Sequence, residues 1–171
     1  DKTYKTLTLA RDRLGEKPLY WGWQDNTFLF GSELKALKAH PAFKANINRN
    51  ALALFLRHGY VPSPYSIYEN IYKLSPGHFL TFPLSEGSAS KEVSPEPYWQ
   101  FNEAVATGLS NPFTGNDSNA IDALESQLSA SIKAQMLSDV PLGAFLSGGI
   151  DSSTIVSLMQ AQSSRPVKTF T

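Results

Sequence analysis

The sequence predicts an α+β unit joined to the opening of an α/β unit. Three observations carry that reading. Three short β-like runs lie before residue 32. A polar stretch, SNPFTGNDSN, occupies 110–119. After it come a helical pattern, a short apolar run and a second helical pattern, in that order.

Each element has a local reason. YKTLTLA alternates apolar and polar, KPLYWGW is rich in aromatics, and NTFLFGS follows a turn at Gln24, Asp25 and Asn26, so all three read as strands. Between the first two, RDRLGEKP has Gly15 and Pro18 to make a tight, charged hairpin turn. Ser32 is expected to cap the short helix ELKALKAH, with Glu33 in its first turn and Pro41 ending it. Asn48 and Gly59 frame a second helix, NRNALALFLRHG. Six of the eleven prolines fall at 62–97, which predicts an extended connecting path rather than a core element, with GHFLTFPL as its one strand.

The stretch 110–119 is the candidate domain boundary. A long helix is expected from Asp117 or Ser118. Its apolar stripe of Ile121, Leu124, Leu128, Ile132 and Met136 implies that it packs on something. Pro141 follows, and LGAFL reads as a short buried strand. No internal repeat or low-complexity tract interrupts the chain.

Composition narrows the function classes. The 171 residues are 42% hydrophobic, and fifteen basic residues balance fifteen acidic ones, which gives no electrostatic basis for binding nucleic acid or an anionic membrane. No apolar run approaches the roughly 20 residues a membrane helix needs, and no signal-peptide pattern opens the chain. Zero cysteines exclude disulfides and thiolate metal sites in this stretch, so a cytoplasmic soluble protein is expected. The chain opens at Asp1 just before a strand and stops after VKTFT, so an excerpt of a longer protein is expected.

The informative segment is GAFLSGGIDSSTIVSLM, residues 143–159. Gly148 and Gly149 let a ligand approach the backbone. A helix starting near Ile150 offers unpaired N–H groups and the positive end of its dipole. Ser147, Ser152 and Ser153 add hydroxyls, and the whole makes a cradle for phosphate oxygens. Asp151 would repel a phosphate unless a cation sits between them, and Mg²⁺ held by one carboxylate plus phosphate oxygens resolves that conflict. The Gly-Lys-Ser/Thr ending of a Walker loop is absent, so this is not a γ-phosphoryl grip of that kind. A plain strand–helix turn would account for one capping Ser and the Asp, but not for two glycines and two further hydroxyls.

LSGGIDSS resembles the pyrophosphate loop of ATP pyrophosphatases, and SDVPLGAFLSGGIDSS resembles glutamine-hydrolysing (class II) asparagine synthetases. ARDRLGEKPLYW and FGSELKAL are similar to the closing strands and helix of that family's glutaminase domain. HGYVPSPYSIYENIYKLSPGHFLTF, with PYWQF after it, is similar to the stretch between its two domains. The resemblance implies the end of an Ntn-type glutaminase sandwich over 1–88, a linker over 89–116, and the start of an ATP-pyrophosphatase domain over 117–171. It implies ATP, aspartate and glutamine as substrates, Mg²⁺, a β-aspartyl-AMP intermediate, and ammonia delivered from a glutaminase site whose cysteine would lie upstream of Asp1. It also implies that Ser147, Gly148, Gly149, Ser152 and Ser153 hold phosphates, that Asp151 binds Mg²⁺-pyrophosphate, and that the Phe145 backbone touches ATP. A homodimer is among its expectations, and the fragment alone is expected to be inactive.

Two rivals remain at this level. One is a related amidotransferase acting on another carboxylate, such as a sugar acid in surface-polysaccharide synthesis, or closing a ring. The other is a non-catalytic binding module of the same fold. Elsewhere, Arg11, Asp12 and Arg13 read as structural charges at a turn. Glu33 reads as a dipole complement. His40, His58 and His78 lack metal-ligand spacing, and Tyr20, Trp21 and Trp23 read as packing residues.

Overall fold

The computed structural model describes residues 1–84 and 93–171 and divides into two units, Asp1–Ser110 and Asn111–Thr171. In the first unit the order is β1 (Thr6–Ala10), β2 (Tyr20–Gln24), β3 (Thr27–Gly31), α1 (Leu34–Lys38), α2 (Arg49–His58), β4 (Ile71–Lys73), β5 (His78–Pro83), β6 (Glu96–Pro97) and α3 (Phe101–Ser110). The strands form two antiparallel sheets, β1-β5-β6 and β3-β2-β4.

Alternation decides which faces meet. Leu7 and Leu9 of β1 and Leu80 and Phe82 of β5 point inward, while Thr8 and Thr81 pair across the outer face, hydroxyl to hydroxyl, at 2.9 Å. Trp21 and Trp23 of β2 and Phe28 of β3 supply the opposing side, and the rings of Phe28 and Phe82 bridge the sheets at 4.2 Å between centroids. Leu74 and Leu80 are almost wholly excluded from solvent in this cluster. A second cluster, Leu29, Leu37 and Ile71, lies on the other face of the β3-β2-β4 sheet and takes the apolar side of α1. Gly22 is required there because a Cβ would be driven into the Asn70 carbonyl where β4 approaches β2. The buried indole N–H groups of Trp21 and Trp23 have no hydrogen-bond acceptor among the described residues, at a cost of about 1–3 kcal/mol each.

Several expectations are corrected. β1 and β2 do not pair, so the charged segment between them is a crossover between sheets and not a hairpin turn. Arg11 shapes it by donating to the carbonyls of Lys17 (2.9 Å), Leu74 (2.7 Å) and Gly15 (2.8 Å). Asp12 accepts from the backbone N–H groups of Glu16 (2.8 Å) and Lys17 (3.1 Å), and these bonds hold its carboxyl below the usual carboxylate range. Both residues therefore act structurally, as expected; Arg13 is exposed.

The helix after β3 is capped at Glu33 rather than Ser32, without a side-chain cap bond, and Glu33 pairs instead with Lys35 at 2.7 Å. Burial of Leu37 anchors so short a helix. In α2, by contrast, Asn48 accepts from Asn50 N and Ala51 N, and Gly59 ends the helix at φ 76°, as its sequence predicts. The proline-rich stretch is a core element after all, since it supplies Ile71, Leu74, Leu80 and Phe82. Its prolines fall between strands, at the end of β5 or in the edge strand β6, where no central ladder bond is lost. The expected boundary at residue 88 lies outside the described residues; α3 stands within the stretch read as a linker.

The second unit runs α4 (Asp117–Gln135), β7 (Gly143–Phe145), α5 (Ile150–Ala161) and β8 (Lys168–Phe170). Asn116 and Asn119 form a reciprocal capping box that starts α4 where the sequence places it. β7 and β8 pair in parallel with α5 as the crossover, the βα-β arrangement typical of α/β units. The strand expected to be buried is exposed: Gly143 and Phe145 face solvent, because β8 is the one strand paired with β7 among the described residues. The stripe of α4 is covered only toward its C-terminal end, where Ile132 is buried while Ile121 and Leu124 stay 63% and 60% exposed.

Candidate functional site

The loop between β7 and α5 brings the singled-out residues together. The Leu146 amide donates to the Phe170 carbonyl at 2.8 Å, which is the last rung of the β7–β8 ladder. Backbone polar groups alternate sides along a strand, so the N–H and C=O of Phe145 face the edge of β7 away from β8. The Phe145 side chain itself is 85% exposed.

After Ser147 the chain turns through Gly148 at φ 78°. A Cβ there would meet nothing within 4 Å, so the glycine answers to backbone conformation and not to space. Gly149 is the opposite case. Its φ of −78° suits any residue, and a Cβ would make only ordinary contact with the Ser147 and Ser152 hydroxyls at 3.6 and 3.9 Å. The packing of the protein does not demand a glycine at 149; a ligand lying against the backbone would.

Gly149 is the N-cap of α5 and offers no side chain to the first turn. The first helical bond runs from Ser153 N to Gly149 O at 3.1 Å, so the N–H groups of Ile150, Asp151 and Ser152 have no acceptor within the helix. The Ser152 hydroxyl donates to Gly149 O at 3.1 Å and lies 3.1 Å from the Ser147 hydroxyl. Each hydroxyl has one proton, so Ser147 donates to Ser152 and Ser152 to the carbonyl. Rotating Ser147 frees a donor without breaking the Ser152–Gly149 bond. Ser153 and Asp151 are exposed on the same first turn. The loop thus gathers three unpaired amides, three hydroxyls and one carboxylate at the positive end of a twelve-residue helix. A groove of about 570 Å³ adjoins it, bounded by Ile121, Leu124 and Leu128 of α4 and by Gly148, Gly149 and Ile150.

Among the described residues, no cluster of three His, Cys, Asp or Glu side chains stands ready for a metal. A cation at Asp151 would take its remaining ligands from phosphate oxygens and water, which is how Mg²⁺ commonly binds. The donor set therefore fits a magnesium-bound polyphosphate. The histidines lie elsewhere: His40 Nδ1 accepts from Ala42 N at 3.2 Å, His78 Nδ1 sits 2.7 Å from the Pro76 carbonyl, and the His58 ring is near Tyr60. Tyr20, Trp21 and Trp23 pack into the two clusters of the first unit. No sequence pattern singles out Lys73, yet it is half-buried at the wall of a second cavity.

Two families match in sequence order. The glutamine amidotransferase domain family matches residues 1–99, and the asparagine synthase family matches residues 123–171. The chain belongs to the glutamine-hydrolysing asparagine synthetase family. Among its relatives, the putative glutamine-hydrolysing asparagine synthetase 2 of Methanocaldococcus jannaschii is 40% identical over 162 residues, covering 94% of this chain and 29% of the relative. Asparagine synthetase 3 of Bacillus subtilis is 34% identical over 160 residues, covering 92% of this chain and 24% of the relative. Asparagine synthetase 2 of the same organism is 31% identical over 162 residues, covering 91% and 21%. The chain thus spans less than a third of the length of these asparagine synthetase relatives. No helix among the described residues is long and apolar enough to cross a membrane.

Proposed function

We propose that the protein containing this chain makes asparagine from aspartate, ATP and nitrogen drawn from glutamine or ammonia. An oxygen of the aspartate side-chain carboxylate attacks the α-phosphorus of ATP. The bond to the bridging oxygen breaks and pyrophosphate leaves, giving β-aspartyl-AMP. Ammonia then adds at the acyl carbon, and the C–O bond breaks to release AMP.

In this reading the residues of the loop work on the leaving pyrophosphate. The amides at 150–152, the backbone at Gly148 and Gly149, and the hydroxyls of Ser147, Ser152 and Ser153 hold phosphate oxygens as charge develops on them. Asp151 would hold Mg²⁺, which would supply charge neutralisation for the leaving pyrophosphate. The outward-facing backbone of Phe145 contacts the nucleotide. Residues 1–88 would be the end of an Ntn-type glutaminase sandwich, 89–116 a linker and 117–171 the start of an ATP-pyrophosphatase fold. A cytoplasmic homodimer completes the proposal.

The observation that carries it is the strand–Ser-Gly-Gly–helix junction, with Gly148 at φ 78° and a helix whose first amides are uncapped. The test uses the complete protein with ATP, Mg²⁺, ammonium and aspartate, measuring AMP and asparagine. Equal yields that depend on aspartate support the reading, and Asp151→Asn is expected to lower AMP formation by about 10²- to 10³-fold. AMP formation indifferent to aspartate, or unchanged in the variant, would sink it.

A further inference from the structure

A second site lies in the first unit, on the face of the β3-β2-β4 sheet that carries Tyr20 and Lys73, which are cross-strand partners in the β2–β4 ladder. A cavity of about 470 Å³ opens there, lined by Tyr20, Leu34, Leu52, Phe55, Val61 and Lys73 among others. Its volume falls in the range of about 300–1,000 Å³ usual for small-molecule sites. The walls are largely apolar; the exception that matters is the Lys73 ammonium.

That ammonium donates to the Val61 carbonyl. It carries three N–H donors, and one carbonyl engages one of them. No carboxylate of the described residues lies within ion-pair distance of it. The Arg11 guanidinium adds positive charge, since its own donors are spent on the neutral carbonyls of Lys17, Leu74 and Gly15. Burial first, and Arg11 second, depress the Lys73 ammonium below its ordinary range. A half-buried cation that faces an apolar cavity with no carboxylate partner among the described residues is an incomplete electrostatic arrangement. A neutral apolar guest would desolvate Lys73 further without compensating it, and a cationic guest would be repelled. A guest with one carboxylate and an apolar body satisfies both parts of the wall.

We propose that this cavity binds a small amphipathic carboxylate, its charge on Lys73 and its apolar body against Leu34, Leu52 and Phe55. The site shares no residue with the Asp151 loop, so the two proposals stand or fall separately.

The test is calorimetric titration of the complete protein with octanoate, using octanol and octylamine as matched probes. Octanoate is expected to bind at one saturable site, with octanol and octylamine weaker by about 10- to 100-fold. Lys73→Met is expected to cost octanoate a similar factor, and Lys73→Arg to keep most of its affinity. Leu52→Trp, which fills the cavity from α2 and leaves the Lys73–Val61 bond alone, is expected to block binding. In the wild-type protein, octanoate is expected to slow acetylation of Lys73 by an amine-reactive ester, read by mass spectrometry; this decides the matter should Lys73→Met fail to fold. Equal affinity for octanoate and octanol, undiminished binding by folded Lys73→Met, or no protection of Lys73 in the wild type overturns the proposal.

Discussion

The two units of this chain divide the labour unequally. Among the described residues, the first unit contains both buried clusters and nearly all of the buried apolar side chains, whereas Ile132 and Met159 are the buried ones in the second. The second unit contains the loop with the unpaired amides, the hydroxyls and Asp151. Close packing rests on alternation over long stretches of chain, with β1 meeting β5 some seventy residues away. The proposed phosphate cradle is local: it needs seven consecutive residues, one left-handed glycine and a helix end. Substitutions in the buried clusters of the first unit should therefore be read as changes in stability, and, on the proposed function, substitutions at 147–153 as changes in chemistry.

The largest expected effect tests the first half of that contrast. Leu74 is completely buried at the meeting of the two sheets, so Leu74→Ala should destabilise the first unit by about 2–5 kcal/mol. Trp21, Trp23 and Trp99 all lie in this unit, so denaturant unfolding of the 171-residue chain followed by tryptophan fluorescence reports on it directly. A shift under about 1 kcal/mol would mean that this cluster is not the core of the first unit.

A smaller effect tests the second half. Gly148→Ala forces a Cβ-bearing residue to φ 78° at a cost of about 1–2 kcal/mol, although the space around it is empty. The tryptophan-detected transition should not move, while AMP formation by the complete protein should fall. Unchanged AMP formation would separate the shape of the loop from its proposed role.

Legibility followed the same division. The loop, the Asn48 and Gly59 caps and the start of α4 were readable because each depends on neighbours within a few residues. Strand pairing was not. Nothing in RDRLGEKP distinguishes a hairpin turn from a crossover, because the carbonyls that Arg11 satisfies include Leu74, 63 residues away. The prolines at 62–97 masked β4 because proline density reports on turns and is silent about three-residue strands between them. α3 carries a short apolar stripe, Phe101, Val105 and Leu109 at helical spacing, but all three are exposed, so no packing partner among the described residues gives that stripe a meaning. The exposure of β7 was illegible for another reason: an apolar run says that a strand suits burial, not that a neighbour covers it. Lys73 needed the cavity wall before it meant anything.

The smallest expected effect probes the seam between sheets. Asp12 accepts from Lys17 N and Glu16 N, bonds that favour its charged form and lower its pKa. Its contribution to stability is therefore fully present above the unfolded carboxylate value of about 3.9 and is lost as pH falls through the lower folded value. Because the carboxylate is exposed to solvent, the effect is modest. Asp12→Asn should be slightly less stable than wild type at neutral pH, and the two midpoints should converge as pH drops below about 4. A gap that stayed constant down to strongly acidic pH would assign the loss to crossover geometry rather than charge. A gap that widened on acidification would contradict the direction of the shift. Either result would bear on the contrast drawn above, because Asp12 is where a local turn, legible in sequence, meets a long-range sheet connection that is not.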